Sequence, residues 1–364
     1  MTITIETAQL ARAMKYAANV VDSRNTLPIL ANVLLRADGD TLELVSTNLD
    51  VEFRQVLPLA EGGKLDVTVD ARRLSALAQA AGSGSQLKLE VDGSQLAVRN
   101  GRSRWKMPYL PSTDFPEMPF DGGDWQLIDI NGVALADGLG RVMWSVGDEQ
   151  VKHYLLGPLL HVEQGKAALA ATNGHTLVRA ILPMEMEEGA PELILMPKFC
   201  RTLESLAAEA DAVSLQWSDN KIRAQVGDVV LTAKAIKGTF PDYRRVIPQE
   251  ADEVVTVDPA SLRNAVRRSQ VLANEKTRCV KVERAADRLM LSVITPDAGE
   301  GRSEEPAQCT EGFATGFNAK YLEQMLDAIG GDTVEIHQAG EGAPARFTRT
   351  VDDGVLGVIM PMRV

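Results

Sequence analysis

Val69-Asp70-Ala71-Arg72-Arg73-Leu74-Ser75-Ala76-Leu77-Ala78 decides the fold, because the chain writes the same plan twice more. It returns as Met196-Pro197-Lys198-Phe199-Cys200-Arg201-Thr202-Leu203 and as Asn318-Ala319-Lys320-Tyr321-Leu322-Glu323-Gln324-Met325. Each version carries a base, a ring or Arg, and apolar residues in register. Lys198 lies 126 positions after Arg72, and Lys320 lies 122 after Lys198. That spacing implies a unit of about 120 residues present three times, far longer than a solenoid repeat, so each copy can hold its own core.

Other landmarks keep the same period. Leu10, Leu135 and Leu262 open similar helical patterns, and Thr47-Asn48, Thr172-Asn173 and Thr295 end apolar runs. Phe115-Pro116 and Phe240-Pro241 are 125 apart. Polar stretches rich in turn formers, Asp121-Gly122-Gly123-Asp124 and Pro248-Gln249-Glu250-Ala251-Asp252, fall at the period boundaries. The domains are therefore expected at residues 1–122, 124–248 and 252–364.

Within a copy, two periodicities alternate. Leu10, Met14 and Ala17 share one helical face while Arg12 and Lys15 fall on another. Strands are expected over Ile29 to Leu35, Thr41 to Ser46, Val51 to Leu57 and Lys64 to Val69, then at Leu87, Leu89 and Val91, which alternate with Lys88 and Glu90. Asp38-Gly39, Asp92-Gly93 and Asn100-Gly101 are turn signals. Asp70 is placed to cap one helix, and Asp258 followed by Pro259 to cap another. Helix Gly132 to Trp144 is the poorest, with Gly138 and Gly140 inside it, and the polar stretch Asp297 to Pro306 reads as an exposed loop. Two helices per copy backing onto antiparallel sheet make an α+β layer arrangement, three similar domains in all.

Composition narrows the function. No apolar run approaches the roughly 20 residues of a membrane span, and the start Met1 to Glu6 lacks the features of a signal peptide, so a cytoplasmic protein is expected. The three cysteines, Cys200, Cys279 and Cys309, show no metal-ligand spacing, so reduced thiols are expected, with no disulfide, metal or other cofactor. A formal net charge of -12 excludes a uniformly basic nucleic-acid binder. Yet the six helical segments carry eleven bases (Arg12, Lys15, Arg72, Arg73, Arg141, Lys198, Arg201, Arg263, Arg267, Arg268, Lys320) against seven acids. Gathered on one surface, these bases would attract phosphates while the acidic remainder repels.

Catalysis finds no motif. The four histidines are His153, His161, His175 and His337, and only Asn173-Gly174-His175 has a turn-like setting. A Gly-x-Ser-x-Gly elbow, a His-Glu-x-x-His pair and a phosphate-binding glycine loop are all missing, which argues for a non-enzyme. The ending Val355 to Val364 is apolar except for Arg363. Val355 to Ile359 reads as a final core strand. Pro361 cannot continue a central ladder, which frees Met360 and Met362 for an exposed groove.

Four motifs together are specific: Arg24-Asn25-Thr26-Leu27-Pro28-Ile29-Leu30, Ala171-Thr172-Asn173-Gly174-His175, Gly238-Thr239-Phe240-Pro241-Asp242-Tyr243-Arg244-Arg245-Val246, and Met360-Pro361-Met362-Arg363. On these the chain resembles, over its whole length, the bacterial sliding clamps, the β subunits of DNA polymerase III. The resemblance implies the DNA clamp fold, a three-domain crescent that pairs head to tail into a homodimeric ring. Helices would line the hole, sheets the outside, and double-stranded DNA would pass through. The implied role is to tether the replicative polymerase, with no bond made or broken. The implied partners are the polymerase III catalytic subunit, the clamp loader, and other polymerases and repair proteins with clamp-binding motifs. A specialised or inhibitor-resistant paralogue is the alternative, and an enzyme on the same scaffold a distant one.

Residue by residue, the resemblance implies DNA contacts at Arg24, Arg73, His153 and Tyr154, with Arg72, Lys198 and Arg201 as further pore bases. A partner-peptide cleft is implied at Leu155, Thr172, Gly174, His175, Leu177, Pro241, Arg245, Val246, Val358, Met360, Pro361 and Met362. The dimer interface is implied at Trp105, Met107, Val271 and Leu272. Three positions depart from the commonest family pattern: Glu149 stands for Gln, Thr176 for Arg and Val364 for Leu.

Overall fold

The computed structural model describes residues 2–22, 27–82, 84–118, 126–148, 150–190, 192–218, 220–248, 254–351 and 354–363. Arg24, Glu149, Val364 and most of both expected linkers lie outside the described residues.

The first repeat runs β1 (Thr2–Glu6), α1 (Thr7–Val20), β2 (Asn32–Thr47), β3 (Val51–Asp70), α2 (Ala71–Ala80), β4 (Gln86–Asp92), β5 (Gln95–Asn100) and β6 (Ser103–Pro111). The second runs β7 (Gln126–Asn131), α3 (Gly132–Val142), β8 (Leu159–Glu163), β9 (Lys166–Thr172), β10 (Thr176–Glu185) and β11 (Leu193–Ile194). It then continues through α4 (Pro197–Ala207), β12 (Ala212–Ser218), β13 (Lys221–Val226) and β14 (Val229–Lys234). The third runs β15 (Val254–Val257), α5 (Pro259–Gln270), β16 (Cys279–Ala285), β17 (Arg288–Thr295), β18 (Gly299–Gln308) and β19 (Ala314–Asn318). It ends with α6 (Ala319–Ile329), β20 (Val334–His337), β21 (Ala345–Arg349) and β22 (Val355–Ile359).

The helices start where their caps allow. Asp70 accepts from Arg73 N at 2.8 Å, Asp258 from Ala260 N at 2.9 Å, and Asn318 from Lys320 N at 3.0 Å. Each satisfies an amide that the first helical turn leaves open, a contribution of about 1 kcal/mol. Leu10, Met14 and Ala17 of α1 are buried and Arg12 and Lys15 exposed, as their spacing predicts. Burying a side chain such as Leu10 or Met14 contributes about 1.5–3 kcal/mol. Gly138 of α3 has a packing reason: a Cβ there would sit 2.4 Å from Leu182 Cδ2.

The repeat is visible at single hydrogen bonds. Thr47 Oγ1 donates to Val51 O at 2.9 Å, while Asn48 Oδ1 accepts from Val51 N at 2.8 Å. One period later, Thr172 Oγ1 donates to Thr176 O at 2.6 Å, and Asn173 Oδ1 accepts from Thr176 N at 2.8 Å. Both turns need a left-handed residue, Leu49 at φ 75 and Gly174 at φ 87.

The chain forms two compact units, residues 1–136 with 195–235 and residues 137–194 with 236–364. In the first, a 10-stranded sheet runs β1-β4-β5-β6-β3-β14-β13-β12-β7, with β2 on β3, and α1 packs against α2 and α4. In the second, a 12-stranded sheet runs β11-β8-β9-β10-β22-β21-β20-β15-β18-β17-β16-β19, and α5 packs against α6. Each sheet joins strands of neighbouring repeats: β3 pairs β14 with Phe53 opposite Leu231, and β10 pairs β22 with Leu177 opposite Val358.

Two expectations are corrected. Asp297 to Pro306 is not a loop, since Gly299 onward is β18, paired with β17 from Thr295↔Gly299 to Arg288↔Pro306. Its residues are mostly exposed, so no apolar alternation marks it as a strand. The strand expected from Ile29 begins at Asn32, because Pro28–Ala31 forms a 3-10 turn after Pro28 fixes the backbone.

Candidate functional site

The helix bases divide into two groups. Arg12 pairs with Glu209 at 2.9 Å, Arg73 lies 3.9 Å from Asp70, and Arg267 meets Glu323 at 2.6 Å. Arg263 pairs with Asp327 and Arg268 with Glu305. Lys198 donates to Val20 O at 2.9 Å and pairs with Asp22. Arg141 bonds Asp137 at 2.6 Å, and donates to the carbonyls of Ala328 and, at 3.0 Å, Ile329, where α6 ends. Among the described residues, Lys15, Arg72, Arg201 and Lys320 have no carboxylate partner, and all four are exposed. Arg72 makes a 3.5 Å contact with Val21 O.

His153 and Tyr154 lie in the 3-10 segment Gln150–Leu155, rings edge to face at 5.8 Å. Gly238 lies behind them at φ 140, and a Cβ there would come within 2.9 Å of Tyr154 Cβ. The glycine of Gly238-Thr239-Phe240-Pro241 thus admits the Tyr154 side chain.

The expected cleft residues form a floor and a rim. Leu155, Leu177 and Val358 belong to one apolar cluster with Phe240, Tyr243 and Leu356. Pro241, Arg245 and Val246 are exposed on the segment that carries Phe240 and Tyr243 into this cluster, and Arg245 is steadied by Asp242 at 2.9 Å. The Thr172–Thr176 turn holds His175 exposed, and the His175 carbonyl accepts from Met360 N at 2.9 Å. Pro361 ends the ladder as expected, yet Met362 N still donates to Gly316 O at 2.8 Å. The side chain of Thr176 is buried, its Oγ1 2.7 Å from Ser145 Oγ.

The four expected interface positions differ in exposure. Trp105 is 40% exposed and Val271 80%, but Met107 is only 6% exposed and faces its own repeat's core opposite Leu96. Leu272 is partly buried.

Comparison with known proteins supplies the family. Residues 1–119, 129–242 and 244–363 match in turn the N-terminal, central and C-terminal domains of the DNA polymerase III beta subunit. The chain belongs to the DNA polymerase III beta subunit family. It is 36% identical over 380 residues to the beta sliding clamp of Caulobacter vibrioides, and 32% identical over 370 residues to that of Pseudomonas aeruginosa, each covering 100% of both chains. Among solved structures, a sliding clamp from Bartonella birtlesii bound to griselimycin matches at 31% identity and TM-score 0.93, covering 100% of both chains. A Caulobacter crescentus clamp matches at 34% identity and TM-score 0.91, covering 100% of this chain and 99% of the other. The fold is the three-domain sliding-clamp fold, and the function is that of a DNA sliding clamp, a processivity factor of replication.

Two features of this clamp chain escaped sequence reasoning. Tyr321 of α6 stacks on His175 at 6.3 Å between centroids and 19° between planes, which adds an aromatic wall beside the expected cleft. Tyr321 occupies the ring position of the repeated stretch, the one signal that singled it out. The second is a buried polar pair, His161 and Tyr243, linked at 2.9 Å. Nothing in the sequence joins residues 82 positions apart.

Proposed function

We propose that this clamp chain closes head to tail with a second copy into a ring around duplex DNA, through domains bounded at 1–122, 124–248 and 252–364. The observation that carries the reading is a pair of open strand edges. Ser103–Pro108 of β6 pairs with β5 on one side only, and Gly299–Pro306 of β18 with β17 on one side only, among the described residues. Exposed edges invite a partner strand. The β6 edge carries Arg104 and Lys106, both paired with Asp92, beside Trp105, while β18 carries Glu300, Glu304 and Glu305 against Arg302, so the β18 edge is acidic on balance. Val271 and Ile294, 80% and 77% exposed, supply apolar surface in the third repeat.

In this reading Arg24, Arg72, Arg73, His153, Tyr154, Lys198 and Arg201 face DNA. Bases that hold phosphate without base readout let the ring slide. Persistence comes from closure, since leaving requires parting an interface. The cleft from Leu155 to Met362 takes a short apolar peptide from the polymerase catalytic subunit, the loader and repair proteins, and the chain performs no catalysis of its own.

Retention on DNA tests this directly. The loaded protein should stay on circular duplex and leave when the circle is cut, and Leu272→Ala should dissociate into monomers at dilutions where wild type sediments as a dimer. Equal retention on linear and circular DNA overturns the ring, and unchanged sedimentation overturns the interface.

A further inference from the structure

The turn Tyr243–Val246, which displays Arg245 and Val246, hangs on a buried polar relay. Tyr243 is almost wholly buried, and its hydroxyl lies 2.9 Å from His161 Nε2 and 2.9 Å from Glu163 Oε2. Arg179 of β10 faces Glu163 at 3.6 Å. On the far side of the imidazole, His161 Nδ1 has two neighbours. The main-chain oxygen of Val162 is 2.9 Å away, and Arg244 Nη2 is 3.3 Å away.

Those two neighbours make opposite demands. A carbonyl oxygen needs an N–H on Nδ1, whereas a guanidinium N–H needs a lone pair there. Glu163 settles the other side: as a carboxylate it accepts from the Tyr243 hydroxyl, so the phenol oxygen must accept from Nε2–H. Neutral His161 then keeps its lone pair on Nδ1 for Arg244. Protonated His161 donates from both nitrogens, to Tyr243 and to Val162, and repels the Arg244 guanidinium. The relay has two complete arrangements, one with Arg244 docked and one without.

We propose that Tyr243 and His161 are positioning residues for peptide capture, holding the turn so that Arg245 and Val246 meet the cleft, and that protonation of His161 releases it. This rests on the cleft reading above. The first repeat gives a contrast. One period before His161 and Tyr243 stand Arg36 and Met118, and there the chain is held by ion pairs. Arg36 meets Glu43 and Glu117 at 3.0 Å each, and Glu52 accepts from Met118 N at 2.6 Å. None of those groups ordinarily changes charge between pH 5 and 8, whereas an imidazole does. Besides Tyr243 and Arg244, the charged groups acting on His161 are Glu163 and Glu192, with Arg179 behind Glu163.

The test is calorimetric titration of the full-length protein with a synthetic peptide copying the clamp-binding segment of the polymerase III catalytic subunit, from about pH 7.5 to about pH 5.5. Wild type should lose affinity several-fold toward acid, and His161→Gln should lose the part of that dependence due to the relay. The exposed His175 is present in both proteins, so the difference between the two profiles isolates His161. Tyr243→Phe should bind roughly tenfold more weakly at both ends of the range, with dimerisation unchanged. Identical profiles for wild type and His161→Gln overturn the proposal even if Tyr243→Phe folds poorly, and so does wild-type affinity in a folded Tyr243→Phe. Met360→Glu separates the two readings: if it abolishes binding, the cleft stands whatever the relay does, and if it binds normally, the cleft assignment is the one that fails.

Discussion

The ammonium of Lys198, at the start of α4, donates to the main-chain carbonyl of Val20, the last residue of α1, across 2.9 Å. No basic residue lies in the last turn of α1 itself. A helix end leaves carbonyls without partners and carries partial negative charge, so a cation from the next repeat serves as its cap. Lys198→Met should therefore destabilise the fold by roughly 1 kcal/mol. Urea unfolding read by circular dichroism checks this, and an unchanged midpoint would show the contact to be dispensable.

Arg201, exposed and without a carboxylate partner among the described residues, should matter more to DNA than Lys198 does. A base already satisfied within the protein gives up less by losing phosphate. Arg201→Ala should lower the slope of log affinity against log salt by about one unit, while Lys198→Met changes it less. The ratio of the two slopes, measured on circular duplex, decides between a pore base and a helix cap.

Removing Met360 to Val364 should leave β22 in place between β10 and β21, since its pairing ends at Ile359. Two main-chain bonds would be lost, Met360 N to His175 O and Met362 N to Gly316 O. At about 1 kcal/mol each, they should lower the melting temperature by a few degrees without unfolding the chain. Binding of polymerase-derived peptide should disappear. Retained affinity would move the recognition surface elsewhere, and wholesale unfolding would make the tail part of the core.

Stability should also fall in mild acid, for a stated reason. Burial pushes the His161 imidazole below its ordinary 6.5, so the folded chain binds that proton less readily than the unfolded chain. The contribution is whole above pH 6.5 and erodes as pH falls through the window beneath it. Glu52 works the other way at lower pH: burial lifts its carboxyl above 4.5, and protonation there relieves the folded state. Denaturant midpoints for His161→Gln should vary less than wild type between pH 6.5 and the onset of acid unfolding. An equal loss in both proteins would assign the acid sensitivity to other groups.

Much of this architecture is legible because local signals agree. Asp70, Asp258 and the 3.6-residue spacing of Leu10, Met14 and Ala17 mark helices that the structure contains. Strand β18 was not legible, because an open edge needs no apolar alternation and its Glu-Gly-Arg-Ser-Glu-Glu run looks like solvent-exposed coil. Lys198 and Arg141 count simply as helix bases in the sequence, which cannot show that carbonyls of distant helix ends, at Val20 and Ile329, lie within reach. The relay of His161 and Tyr243 was hidden for the same reason. Its partners meet only after two segments of one repeat fold back on each other.

The pairing of β10 with β22 also governs how the protein is made. Val178 faces Gly357, 179 positions further along, so a ribosome must deliver all of those residues before β10 finds its second neighbour. Until then β10 can pair only with β9, and its other edge is a template for any passing strand. Non-local closure of this kind is slow, and unfinished edges aggregate. Chains interrupted before β22 should therefore be the species that chaperones and proteases meet.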